Sequence, residues 1–124
     1  MYEYESKKIK RYSELVDVCR KATCYFVGSF TLELIMRREE WEDPKRKTAF
    51  IESFHKEYFA WDEEGGIART RNRVNCVIRI IESRMVEKAL QYVIDSNKRK
   101  MDIPEARECA IETLARINSG ELKY

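Results

Sequence analysis

The stretch TRNRVNCVIRIIESRMVEKALQYVIDSN, residues 70–97, carries the longest apolar pattern of the chain and decides the fold class. Its apolar residues recur at steps of three and four, which is the spacing of one face of an α-helix. The pattern therefore predicts a single long helix. Further apolar side chains widen this face beyond one stripe, so we expect the helix to be central or to contact a second subunit. These additional positions are Ile80, Val86, Leu90 and Ile94.

Two prolines and a pair of glycines mark the boundaries of the other helices. Asp43 and Pro44 predict a helix start, with the aspartate as the cap and the proline at the first helical position. Gly65 and Gly66 predict a break, and Pro104 predicts the start of the last helix. The sequence thus indicates an all-α fold of about four helices, in an antiparallel bundle or an orthogonal array. Its 124 residues are the usual size of a single domain, which we expect to include the whole chain.

The N-terminal part of the chain is harder to interpret. Apolar residues at helical spacing predict an amphipathic helix from Ser6 onward. Residues 25–36 are rich in aromatic and β-branched side chains, and part of the segment alternates as a strand would. We favour a continued helix because Gly28 is the only turn signal within it, but a strand remains open. In a helix, Gly28 would mark a bend or a close crossing with another helix.

Charge and apolar content limit the classes of function. The 24 Lys and Arg residues nearly balance the 22 Asp and Glu residues, so long-range charge alone would not attract nucleic acid. The densest apolar run is too short to span a bilayer, and the polar N-terminus lacks the apolar region of a signal peptide. We therefore expect a cytoplasmic protein that does not bind membranes. Its four cysteines match neither zinc-finger nor redox spacing and are expected to be reduced core residues.

Patterns typical of enzymes are scarce. Glu52 and His55 match one Glu-x-x-His element of a two-metal helical bundle, but a second copy is absent from the sequence. The residues around the cysteines match no nucleophile signature. The clustered carboxylates would need a second acidic pair downstream to hold Mg²⁺, and Glu82, Glu87 and Asp95 do not share one helical face. The sequence therefore predicts no metal site and no cofactor, and it favours a non-catalytic function.

The most informative functional pattern is the series of arginines after Gly65 and Gly66. The first turn of a helix has unpaired N–H groups and a partial positive charge, so arginines there would favour an anion such as phosphate. Arg71 would point toward the apolar side and would need an acidic partner or a bound anion. We assign the candidate anion site to Arg69, Thr70, Arg71, Asn72, Arg73 and Asn75.

Two further groups of residues would extend such a site. A second basic patch at the start of the helix after Asp43 would lengthen the contact with a nucleic-acid strand; it comprises Lys45, Arg46 and Lys47. Tyr58 or Trp61 would stack on a base, although the aromatic stripe that contains them is also typical of a core. An alternative stays open, in which the arginines form a solvated face with one internal salt bridge.

Two functions from different classes follow. The first is a non-catalytic, oligomeric binding protein, a dimer or larger, that holds a nucleotide or nucleic acid at the arginine-rich helix start. The second is an adaptor or inhibitor that binds another protein through its apolar and aromatic surface, with the arginines at the rim. A small chain with so few motifs is also compatible with an accessory protein of a mobile element or a virus.

Overall fold

A computed structural model of the chain describes residues 8–96 and 104–124, and this part of the chain is helical without any strand. The all-α prediction is confirmed. The strand alternative for residues 25–36 is wrong, and the expected number of about four helices is too low. The helices of the described residues are α1 (Tyr12–Ala22), α2 (Cys24–Met36), α3 (Arg38–Trp41), α4 (Pro44–Tyr58), α5 (Gly66–Glu82), α6 (Val86–Ser96) and α7 (Pro104–Asn118).

The first predicted helix is divided at Thr23. This residue has a φ of 76°, outside the helical region, and its hydroxyl accepts a hydrogen bond from the Phe26 N–H at 3.2 Å. Thr23 therefore ends α1 and caps α2. The predicted start at Ser6 lies outside the described residues, and residues 8–11 are not helical, so the helix starts later than expected.

The long helix predicted for residues 70–97 is also divided. It breaks between α5 and α6, where Arg84 adopts a φ of 61° in the left-handed region. Because α6 turns back onto the core, Ile80, Val86 and Leu90 are fully buried within one chain, and Ile94 is half-buried against the core. These positions therefore need no second subunit to cover them, and self-association stays a prediction without this support.

Helix α2 is central in the fold and packs against α1, α5, α6 and α7. Gly28 allows the closest part of its crossing with α7: a Cβ atom there would lie 2.6 Å from the carbonyl oxygen of Ala106. The predicted close helix crossing at Gly28 is thus confirmed. On another side of α2, Phe26 and Phe30 pack against Phe54 of α4 with ring centroids 6.0 and 5.3 Å apart.

The helix starts predicted at the two prolines are confirmed. Asp43 caps α4 by accepting the Lys45 N–H at 2.9 Å, and α7 begins at Pro104. The predicted end of the long helix, at residue 97, lies outside the described residues. Across residues 8–96 and 104–124, no helix combines the length and the apolar character that crossing a bilayer requires.

Candidate functional site

In the connection between α4 and α5, the buried carboxylate of Asp62 lies at the start of α5. Asp62 is only 7% exposed, and its Oδ1 accepts the Gly65 N–H at 3.0 Å. Its backbone carbonyl accepts the Gly66 N–H at 2.9 Å, and Gly66 has a φ of 60° that favours glycine. The break predicted at the two glycines is confirmed, and the carboxylate lies at the positive end of the α5 dipole.

Arg69 pairs with this same carboxylate. Its Nη1 lies 3.5 Å from Oδ2 of Asp62, and its side chain lies against Gly65. A Cβ atom on Gly65 would be 2.2 Å from the Arg69 Nε, so a side chain at residue 65 would displace the arginine. The chain's own carboxylate therefore occupies the position at the helix start where the sequence predicts a bound anion. The alternative interpretation also includes an internal salt bridge, but here Arg69 rather than Arg71 makes it.

Arg73 lies one helical turn after Arg69 and on the same face of α5. Its guanidinium carbon is 6.0 Å from the centroid of the Phe59 ring, and its side chain is half-buried. Partial burial, followed by the charge of Arg69, lowers the pKa of Arg73, although Asp62 acts in the opposite direction. Among the described residues no carboxylate lies within ion-pair distance of Arg73. Arg73 is therefore a partly dehydrated cation whose charge is only partly compensated.

The other residues of the predicted anion site lie elsewhere on α5. Arg71 is exposed, so it does not need the acidic partner or bound anion that a buried arginine would need. At 3.6 residues per turn it lies about 200° around the helix from Arg69. Thr70 is buried and its Oγ1 lies 2.7 Å from Nδ1 of His55. Asn72 is exposed and lies three residues after Arg69, close to its face. The structure therefore brings together Arg69 and Arg73, with Asn72 beside them.

Asn75 follows Arg71 by one turn and thus lies on that other face of α5. Its Oδ1 is buried and has no hydrogen-bond partner in the described part of the chain. A ligand at Arg69 and Arg73 would be on the opposite side of the helix from this amide. The structure thus separates Asn75 from the two arginines.

The two aromatic residues proposed for stacking differ in accessibility. Trp61 is 72% exposed, and its indole N–H donates to the carbonyl of Tyr58 at 3.0 Å. Tyr58 instead packs on Phe30 with ring centroids 5.0 Å apart, and its hydroxyl donates to Glu33 at 2.7 Å. Burial and then this carboxylate raise the pKa of Tyr58 well above its usual range. Trp61 therefore offers an open ring face, whereas Tyr58 belongs to the aromatic core.

Three residues that sequence reasoning missed complete the arrangement. Phe59 is 3% exposed and connects the core to the surface, because its ring centroid is 6.1 Å from that of Trp61 and its face lies beneath Arg73. Tyr25 is 38% exposed and lies close enough to Arg73 to raise the pKa of its guanidinium, although less than Asp62 does. Asp62 is the third. We call Tyr25, Trp61, Arg69 and Arg73 the arginine–tryptophan surface.

The second basic patch lies far from this surface. Lys45, Arg46 and Lys47 are in the first turn of α4, whereas Trp61 follows its last turn. At 1.5 Å per residue, about 20 Å of helix separate Lys45 from the end of α4. Arg46 also donates to the backbone carbonyl of Glu39 at 3.0 Å. The two patches therefore do not form one local site.

The geometry offers little for metal binding or catalysis. Among residues 8–96 and 104–124, no three His, Cys, Asp or Glu side chains are placed to hold a metal ion. Burial raises the pKa of all four cysteine thiols, to about 12 for Cys19, which disfavours the reactive thiolate.

Comparison of the chain with protein-family models, curated proteins and solved structures found no match.

Proposed function

We propose that this chain is a non-catalytic binding protein that holds a phosphate-bearing ligand of the nucleotide class on the arginine–tryptophan surface. The proposal rests on the burial of Arg73 and on the charges around it. Its guanidinium is half-buried, lies beside a second guanidinium and has no carboxylate at ion-pair distance in the described residues. An anion bound there would relieve the repulsion between Arg69 and Arg73.

Arginine is suited to phosphate because its planar guanidinium donates paired hydrogen bonds to two oxygens. Each charge-assisted hydrogen bond contributes on the order of 1.5–3 kcal/mol. Arg73 already lies over the Phe59 ring, which restricts its side chain and reduces the entropy lost on binding. Arg69 adds a second cation one turn away.

Trp61 gives the reason to expect a nucleotide rather than phosphate alone. An exposed indole can stack on a base, and such stacking contributes about 1–3 kcal/mol per base. The Phe59 ring contacts both Trp61 and Arg73, so base and phosphate contacts would be made on adjacent parts of one surface. The distant patch at the start of α4 is not required for a ligand of this size.

A protein partner is the second candidate, favoured by the composition of the same surface. Tryptophan, tyrosine and arginine are the residues enriched at the energetic centres of protein interfaces. Trp61 and Tyr25 are among the large apolar side chains left exposed. A second copy of this chain is one partner of this kind, in line with the predicted self-association.

Calorimetric titration with mononucleotides, inorganic phosphate and short DNA and RNA strands tests the proposal. Arg73→Ala should weaken nucleotide binding at least about tenfold, the equivalent of one lost charge-assisted hydrogen bond. Arg71→Ala is the matched control, since it removes the same charge from the same helix on a face away from Arg69. Equal losses in the two variants would indicate nonspecific charge attraction, and absence of binding by the wild type would refute the proposed function.

A further inference from the structure

We infer that Asp62 is an internal competitor that restrains anion binding at Arg69. The inference rests on the proposed function and concerns the regulation of that same site. Asp62 already makes the two contacts that a phosphate at the start of α5 would make. Its carboxylate accepts the Gly65 N–H at 3.0 Å, and it lies 3.5 Å from the Arg69 guanidinium.

The placement of Asp62 makes this competition direct. The carboxylate is 7% exposed, so it is held beneath the surface, whereas Arg69 keeps 45% of its side chain exposed. A ligand phosphate reaching Arg69 from solvent would therefore share the guanidinium with a fixed carboxylate of the same charge. Repulsion between two anions a few ångströms apart weakens binding even at the dielectric constant of a protein surface.

Gly65 allows the Arg69 side chain to reach Asp62. The Arg69 side chain crosses the space where a Cβ atom of residue 65 would be, and only glycine leaves that space open. The φ of Gly65 is −80°, a conformation that alanine adopts readily. Glycine is therefore required at this residue for the path of Arg69 toward Asp62 rather than for its backbone conformation.

The test measures binding of ATP and of inorganic phosphate by the full chain. Asp62→Asn keeps an oxygen that accepts the Gly65 N–H but removes the charge, and we expect about tenfold tighter binding of both probes. Glu64→Gln is the matched control, because it removes one exposed negative charge from the same connection. It should change the affinity less than about twofold.

Gly65→Ala is the second variant, and it remains informative if Asp62→Asn fails to fold. The added methyl group displaces Arg69 from Asp62 without altering any charge, so we expect about two- to threefold tighter binding of both probes. Binding by the wild type with no gain in either variant would overturn the competition but leave the proposed function intact. Absence of binding in the wild type and in both variants would overturn both.

Discussion

Replacing Gly28 with alanine tests the helix crossing on which the fold depends. A Cβ atom there would lie 2.6 Å from the carbonyl oxygen of Ala106 and 3.2 Å from Cγ1 of Val93. The first of these is a backbone atom, so a rotamer change cannot relieve the contact. Either α2 or α7 has to move away from the other to accept the methyl group.

The expected effect is the difference between two terms. Alanine is more favourable than glycine inside a helix by about 1 kcal/mol. Overpacking of a dense interior typically costs about 1–3 kcal/mol, and a contact with backbone places this residue at the upper end. We therefore expect Gly28→Ala to lower the free energy of unfolding by about 1–2 kcal/mol, which corresponds to a Tm lower by about 3–10 °C.

Urea denaturation followed by circular dichroism measures this loss. Ser29→Ala provides the control, because Ser29 is the next residue of α2 and is only half-buried. The Cys109 thiol donates to the backbone carbonyl of Ser29, so the variant retains this hydrogen bond. The free energy of unfolding of Ser29→Ala should therefore stay within about 0.5 kcal/mol of the wild-type value. A midpoint for Gly28→Ala equal to or above that of the wild type, at an unchanged m value, would refute the close contact between α2 and α7.

Two further predictions concern the short connections of the fold. Trp41→Phe keeps a buried ring but removes the indole N–H that donates to the Leu34 carbonyl at 2.8 Å, so we expect a loss of about 1–3 kcal/mol in urea denaturation. An unchanged midpoint would mean that another donor reaches this carbonyl. Arg84→Gly and Arg84→Ala both lose the contacts with Tyr124, but only glycine adopts the φ of 61° without strain. The glycine variant should be more stable than the alanine variant by about 1–2 kcal/mol, and equal stabilities would contradict the left-handed conformation of residue 84.

The helix boundaries that could be predicted are those with a local chemical cause. Proline lacks an N–H and aspartate accepts one, which is why Asp43 and Pro44 mark the start of α4 in sequence and structure alike. The division at Arg84 has no such signal, since the residues around it favour a helix. Contacts distant in sequence stabilise it, because Arg84 donates to the Tyr124 carbonyl and lies over the Tyr124 ring. Local patterns do not contain that information.

The candidate site likewise combines features that local spacing determines with features that depend on distant contacts. The common face of Arg69 and Arg73 follows from their spacing of four residues and could be predicted once a helix was assumed. The position of Asp62 could not, because it depends on how the connection between α4 and α5 folds over the aromatic core. The exposure of Arg71 could not be predicted for a related reason, because it depends on which neighbouring helices cover each side of α5.

Phe59 links the stability of the fold to the properties of the surface. Its ring packs in the core against Phe26, Phe30 and Phe54, with centroids 5.9, 5.6 and 6.2 Å away. On the surface side it contacts Arg73 and Trp61. A substitution at Phe59 would therefore change the core and the surface together, and loss of binding in such a variant would not identify a binding residue. Exposed or half-buried positions such as Arg73 can be changed without opening a cavity in the core. The comparison of Arg73 with Arg71, two arginines of one helix that differ in what they contact, is for this reason the decisive test of what the surface binds.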